Sequence, residues 1–133
     1  MWEIQRQHLK NKVLTDCEIV NPTVVGGQLA QVVYAEDGAI NPQAGVAVLT
    51  KETAGAYTLA APAAADTGRT LIIVSDSAAA HVVTATGLLE DGVTGGAKDK
   101  GTFAAFKGAA ITLLAYDERW MVLNKNVVTV AAA

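Results

Sequence analysis

The sequence predicts an all-β fold: a small, jelly-roll-like sandwich or barrel with a short arm at its N-terminus. Three observations lead there. Gly101–Asn124 reads as a pair of adjoining strands, turn residues punctuate most of the chain, and no segment shows the periodicity of a long helix. Nine or ten short strands fit between the turns, which is the pattern of a sandwich or small barrel.

Length and composition narrow this further. A chain of 133 residues makes one domain, read as an arm over residues 1–12 and a β-domain over 13–133. Hydrophobic residues make up 51% of it but aromatics only 5%, so Ala, Val, Gly and Thr fill most of the strands. Small side chains bury little area each, at about 25 cal/mol per Å² of apolar surface. A core of this kind is thin for a monomer, and association with copies of itself is expected to complete it. The net charge of −3 argues against nucleic acid as a partner, since that role needs a clustered basic surface. A membrane partner is not expected either, because no apolar run approaches the roughly 20 residues of a spanning helix. Met1–Lys12 lacks the apolar run of a signal peptide, and the single Cys17 permits no internal disulfide, as suits assembly in a reducing cytoplasm.

In chain order, Met1–Lys12 is polar and mixed in charge, with Trp2, Ile4 and Leu9 as its large apolar side chains. These are the candidate attachment residues: aromatics favour buried interface cores, although Trp2 folding back on its own domain is the equal alternative. Val13–Val20 and Thr23–Val25 read as strands stopped by Asn21-Pro22 and Gly26-Gly27. Leu29–Ala35 is a strand ending at the turn Glu36-Asp37-Gly38. Asn41-Pro42 then echoes Ile19–Thr23 as an apolar-Asn-Pro pattern too short to define a repeat. Val46–Thr50, Tyr57–Ala61, Thr70–Ser75 and Ala80–Thr86 are strands, and Ala63–Ala65 has room for one helical turn. Gly87–Lys100 reads as a Gly- and charge-rich loop with Leu88 and Leu89 tucked inward. Asn126–Val130 is the last strand.

Within the hairpin, Ala110–Tyr116 and Arg119–Asn124 are separated only by Asp117-Glu118. A two-residue turn sets Tyr116 opposite Arg119, Ala115 opposite Trp120, Leu113 opposite Val122 and Ile111 opposite Asn124. One face then carries Ile111, Leu113, Ala115, Trp120 and Val122; the other carries Thr112, Leu114, Tyr116, Met121 and Leu123. Both faces are apolar, so each calls for a cover, either a second sheet or another subunit. Leu113, Tyr116, Trp120 and Val122 are the candidate packing residues for core or oligomer. The turn departs from the Asn-Gly or Asp-Gly preference, and Glu118 meets a penalty if φ is positive there.

No catalytic, cofactor-binding or metal-binding set emerges. His81 lies in an apolar strand and reads as a hydrogen-bonded structural residue rather than a base. Ser75, Asp76 and Ser77 lack the glycines of a nucleophile elbow, and Cys17 has no positioned base nearby. Cys and His, with His8 far from His81, are too few for a metal site within one chain. Glu90, Asp91 and Asp99 match no EF-hand spacing, and Lys98 and Lys100 oppose a cation, so this stretch reads as solvated loop. Gly26-Gly27-Gln28 lacks the cationic context that would give it a role on RNA.

Gly45–Val130 resembles a module of tailed-bacteriophage virion proteins, notably head-decoration and head-fibre proteins. The likeness rests on a succession of phrases: Leu49-Thr50, Leu59–Pro62, the apolar strand with its Ser/Asp/Ala break before Ala80–Thr84, then Thr102-Phe103, Ala115-Tyr116 and Trp120. It covers about two thirds of the chain. Asp117-Glu118 replaces the usual Asn-Gly type of turn, Gly87–Gly96 has no counterpart, and Met1–Ala44 lies outside the likeness. The resemblance implies a non-enzymatic homo-oligomer, most often a trimer, on the exterior of a capsid. The expected role is a decoration or cement protein bound to the major capsid protein, with no cofactor. The alternative is a fibre or spike module that binds a host glycan or receptor.

Overall fold

The fold was analysed in a computed structural model, which describes residues 29–133. The expected arm, the strands Val13–Val20 and Thr23–Val25, and His8 and Cys17 lie outside the described residues. Those described form ten strands: β1 (Gln31–Tyr34), β2 (Gly38–Ile40), β3 (Val46–Leu49), β4 (Ala56–Leu59), β5 (Thr70–Ser75), β6 (Val82–Glu90), β7 (Lys98–Phe103), β8 (Ala110–Tyr116), β9 (Arg119–Asn126) and β10 (Val128–Ala131). A single 3₁₀ turn, Ala64–Asp66, falls in the Ala-rich connection.

The first six strands alternate between two parallel ladders, β1-β3-β5 and β2-β4-β6. The chain therefore winds as successive two-strand coils, each crossover being the strand of the opposite wall. After β6 the direction reverses. β7 pairs antiparallel with β6 and β8 with β5; β9 then pairs with β8 and β10 with β7. One wall reads β1-β3-β5-β8-β9 and the other β2-β4-β6-β7-β10. The end of β6 crosses to pair with the start of β9 (Leu89 opposite Trp120), joining the walls into a nearly closed barrel.

The all-β expectation holds, but a jelly roll does not describe this topology. Jelly rolls are built of antiparallel Greek keys, whereas half of this barrel is parallel. Strand composition says nothing about direction, so the sequence left that open. Inside, period-2 alternation delivers Ala47 and Leu49 of β3, Leu71 and Ile73 of β5, and Tyr57 and Leu59 of β4 to one core. The large rings of that core are Tyr57, Phe103 and Trp120.

The hairpin forms with the expected register from Tyr116–Arg119 to Leu113–Val122. Asp117 and Glu118 have φ of 55° and 56°, a type I′ geometry built without glycine. Beyond Val122 the register shifts at Leu123, so Ile111 faces Lys125 rather than Asn124. The bulge adds one residue to β9 and turns Leu123 to solvent.

The expected loop Gly87–Lys100 needs a larger correction: β6 runs on to Glu90 and β7 begins at Lys98. Gly87, at φ +68°, sits in the irregular stretch where β6 loses its register with β7. Asp99 is held in its strand by accepting bonds from the Gly87 and Ala133 N–H groups, at 2.7 and 2.8 Å. Leu89 is buried and Leu88 packs partly against the core.

Candidate functional site

Two features have the composition of a site: a polar chain across one end of the barrel, running from exposed Asp37 to buried His81, and the outer surface of the β1-β3-β5-β8-β9 wall. The polar chain links the corners that follow β1, β3 and β5. Asp37, after β1, accepts from Lys51 Nζ at 2.7 Å and from the Ala56 N–H at 3.1 Å. The Lys51 carbonyl, after β3, accepts from Ser77 Oγ at 2.7 Å, and Ser77 Oγ lies 2.9 Å from His81 Nε2. His81 Nδ1 accepts from the Gly55 N–H at 3.0 Å.

That last bond fixes the tautomer. With Nδ1 accepting, the ring proton sits on Nε2 and is donated to Ser77, whose own proton goes to the Lys51 carbonyl. The arrangement is the reverse of a nucleophile and its base, in which the serine donates to the imidazole. His81 is fully buried. Burial first, and then the Lys51 charge, hold its pKa below the ordinary histidine value, with Asp37 opposing weakly. Asp37 titrates below the usual carboxylate range, chiefly through its Lys51 hydrogen bond, and Lys51 is raised by the same contact.

Tyr57 packs edge-on against His81, with ring centroids 5.7 Å apart, and against Tyr34 at 6.5 Å. Its hydroxyl is buried without a hydrogen-bond partner among the described residues, and burial raises its pKa. Gly55 is required here: a Cβ would stand 2.6 Å from the Tyr57 ring. The cluster clamps three corners together and leaves no room for a substrate to approach the imidazole.

The carboxylates of the β6–β7 region do not converge. Glu90 pairs with Arg119 at 3.0 Å, Asp91 accepts from the Val93 N–H, and Asp99 serves Gly87 and Ala133. Among the described residues no three His, Cys, Asp or Glu side chains lie together as a metal site would need.

The outer surface of the β1-β3-β5-β8-β9 wall is apolar at its centre. Register places Val33, Val48, Val74, Ala110 and Asn126 in one row, Gln31, Val46, Ile72, Thr112 and Asn124 in a second, Thr70, Leu114 and Met121 in a third, and Tyr116 with Arg119 at the hairpin end. Arg119 is the one charged residue in these rows. Outer rows of the opposite wall are different: Ala39, Thr58, Thr84, Lys100 and Ala131 in one, Ala56, Val82, Thr102 and Thr129 in the other. Each hairpin face thus meets a different fate. Its inner face is covered by the far wall, and its outer face is not covered by another layer among the described residues.

Of the candidate packing residues, Leu113 and Trp120 are buried, and Trp120 Nε1 donates to the Ala60 carbonyl at 3.0 Å. Val122 packs partly against the core, whereas Tyr116 stands 57% exposed at the hairpin tip. Trp2, Ile4 and Leu9 lie outside the described residues. Sequence reading missed the Asp37–Lys51–Ser77–His81 chain, whose members come from corners far apart in sequence. The two apolar faces expected of the hairpin recur in Val46-Ala47-Val48-Leu49, which has apolar residues at both parities. The chain matches no protein-family model, and no curated protein matches it.

Proposed function

We propose that this protein is a non-enzymatic capsid decoration module. It acts as a homo-oligomer, a trimer on the family resemblance, that binds the assembled head of a tailed bacteriophage from outside. The observation that carries the self-association is the apolar outer wall opposite a Thr-, Ala- and Lys-lined one. A sheet face centred on Val46, Val48, Ile72, Val74 and Leu114, with its polar residues and Arg119 toward the margins, is costly in water and complementary to a copy of itself. The polar wall then faces solvent. Attachment falls to residues 1–12, with Trp2, Ile4 and Leu9 as anchors on the major capsid protein. Binding the assembled shell and not its separate subunits stabilises the shell by mass action.

A fibre or spike that grips a glycan would use clustered exposed aromatics. Among the described residues Phe106 and Tyr116 are exposed but stand toward opposite ends of β8, which favours decoration. The test is co-sedimentation with empty capsids that lack the protein. The full chain is expected to pellet with them, and a chain without residues 1–12 to remain an oligomer but stay in the supernatant. Failure of the full chain to pellet overturns the capsid role, and dissociation of the truncated chain makes residues 1–12 an internal clasp.

A further inference from the structure

The sequence holds two Asp-Gly pairs, each inside the same tripeptide: Glu36-Asp37-Gly38 and Glu90-Asp91-Gly92. A glycine after an aspartate leaves the next amide nitrogen without a neighbouring Cβ, so that nitrogen can reach the aspartate's own carboxyl carbon. Exposure does not separate the two pairs, since Gly38 and Gly92 are both exposed. Restraint does. The Asp37 carboxylate is tied to the neighbouring corner, accepting from Lys51 Nζ at 2.7 Å and from the Ala56 N–H at 3.1 Å, and Gly38 is fixed in β2 opposite Tyr57 of β4. Asp91 stands just past the end of β6, and its carboxylate accepts from the Val93 N–H at 3.1 Å, only two residues on. That local bond keeps the carboxyl over its own main chain, beside the Gly92 nitrogen, instead of carrying it away to another corner. Residues 92–96, between β6 and β7, are all exposed, and Gly92, Gly95 and Gly96 take positive φ.

We propose that Asp91 is a site of spontaneous modification, isomerising to isoaspartate through a cyclic imide, while the fold holds the matching Asp37 back. The Gly92 amide nitrogen bonds to Asp91 Cγ. One carboxyl oxygen leaves that carbon as water, taking the amide proton and one proton from solvent. A second water then opens the ring. Attack at Cγ restores aspartate; attack at the Asp91 main-chain carbonyl carbon leaves the chain running through Cγ, with a free carboxylate on Cα. One water is lost and one gained, so no other reactant is needed. The product lengthens the main chain by one methylene, which falls after Glu90, anchored to Arg119 at 3.0 Å, and before Lys98, where β7 begins. The glycines between them take up the extra atom, so the barrel keeps its pairing. The exposed carboxylate on Cα is the group that isoaspartyl carboxyl methyltransferases esterify, which makes the aged loop a substrate for that class of enzyme.

The test keeps the folded full chain for several weeks near neutral pH in heavy-oxygen water and maps isoaspartate and oxygen uptake by peptide mass spectrometry. A parallel sample is held unfolded in guanidinium. In the folded chain Asp91 is expected to convert about tenfold faster than Asp37 or more, because the bonds holding Asp37 must break first. Each conversion should carry one heavy oxygen, the signature of ring opening by water. Unfolded, the two tripeptides should react at comparable rates, and the folded protein should melt at the same temperature before and after conversion. Asp91 reacting no faster than Asp37 in the folded chain overturns the proposal. A preference for Asp91 that persists undiminished in guanidinium assigns the difference to sequence instead of fold, and a melting temperature that falls as Asp91 converts shows that the loop does not absorb the change; either overturns it as well.

Discussion

A buried imidazole with both nitrogens committed cannot gain a proton without losing a bond, and His81 is in that position. Its pKa lies below the ordinary value in the folded protein, so the unfolded chain binds the proton more readily. The stability from keeping His81 neutral is fully present above about pH 6.5, the model-peptide value, and falls as pH drops toward the depressed folded value. Denaturant titrations from pH 8 to pH 5 should show this loss, and His81→Ala should flatten it. The same substitution strands the Gly55 N–H and disturbs the Ser77 bond, at a cost of about 1–3 kcal/mol at neutral pH. Trp120 is the largest fully buried side chain, bonded to Ala60 across the barrel. Trp120→Ala is expected to cost about 3–5 kcal/mol by denaturant titration. A change below about 1 kcal/mol would be incompatible with its burial.

The hairpin is the element on which local sequence and structure agree best, and its turn holds residual strain. Asp tolerates the left-handed region, but Glu118 occupies it with an ordinary side chain at φ 56°. Glu118→Gly should relieve that strain and, less the added entropy of the unfolded chain, stabilise the protein by about 0.5–1 kcal/mol. An unchanged denaturation midpoint would mean that the turn relaxes without help. The β8–β9 pairing was legible because alternation and a two-residue gap leave few registers open. The stretch Lys98–Asp99–Lys100 was not legible: it is a strand because two neighbours pair with its backbone, and its charged side chains conceal this. β2 was missed for a related reason. Three residues including a glycine carry no periodicity, and β4 recruits them. Parallel direction was equally hidden, since it is set by which corners stack. Those corners are held by long-range contacts such as Ser77 to Lys51 and His81 to Gly55. The candidate packing residues were half legible. Parity places Leu113 and Trp120 inside, but it could not tell that the opposite parity would find no covering layer among the described residues.

At the scale of the molecule, the proposed association of copies turns on the difference between the two walls. Val48 and Ile72 lie near the middle of the apolar wall, on the central strands β3 and β5, and Thr58 and Thr84 occupy comparable outward positions on the polar wall. If the apolar wall is the self-association face, Val48→Lys/Ile72→Lys places two ammonium groups where they must be desolvated, and the oligomer should dissociate. Thr58→Lys/Thr84→Lys adds the same charge to the solvated wall and should leave the oligomer intact. Both pairs replace outward-facing residues, so the fold should survive in each, which circular dichroism can check. Sedimentation equilibrium at micromolar concentration then decides: a monomer for the first pair beside an oligomer for the second supports the assignment. Two intact oligomers would clear the apolar wall of any role in association. On the proposed capsid role, the consequence for binding follows from valency. A monomer presents one attachment segment where an oligomer presents several, and losing that multiplicity should weaken binding to the shell by a factor on the order of 10²–10⁴ even though no attachment residue has changed. Weakened capsid binding by the Val48→Lys/Ile72→Lys variant, with the separately truncated chain still oligomeric but unbound, would place assembly and attachment on different parts of the chain.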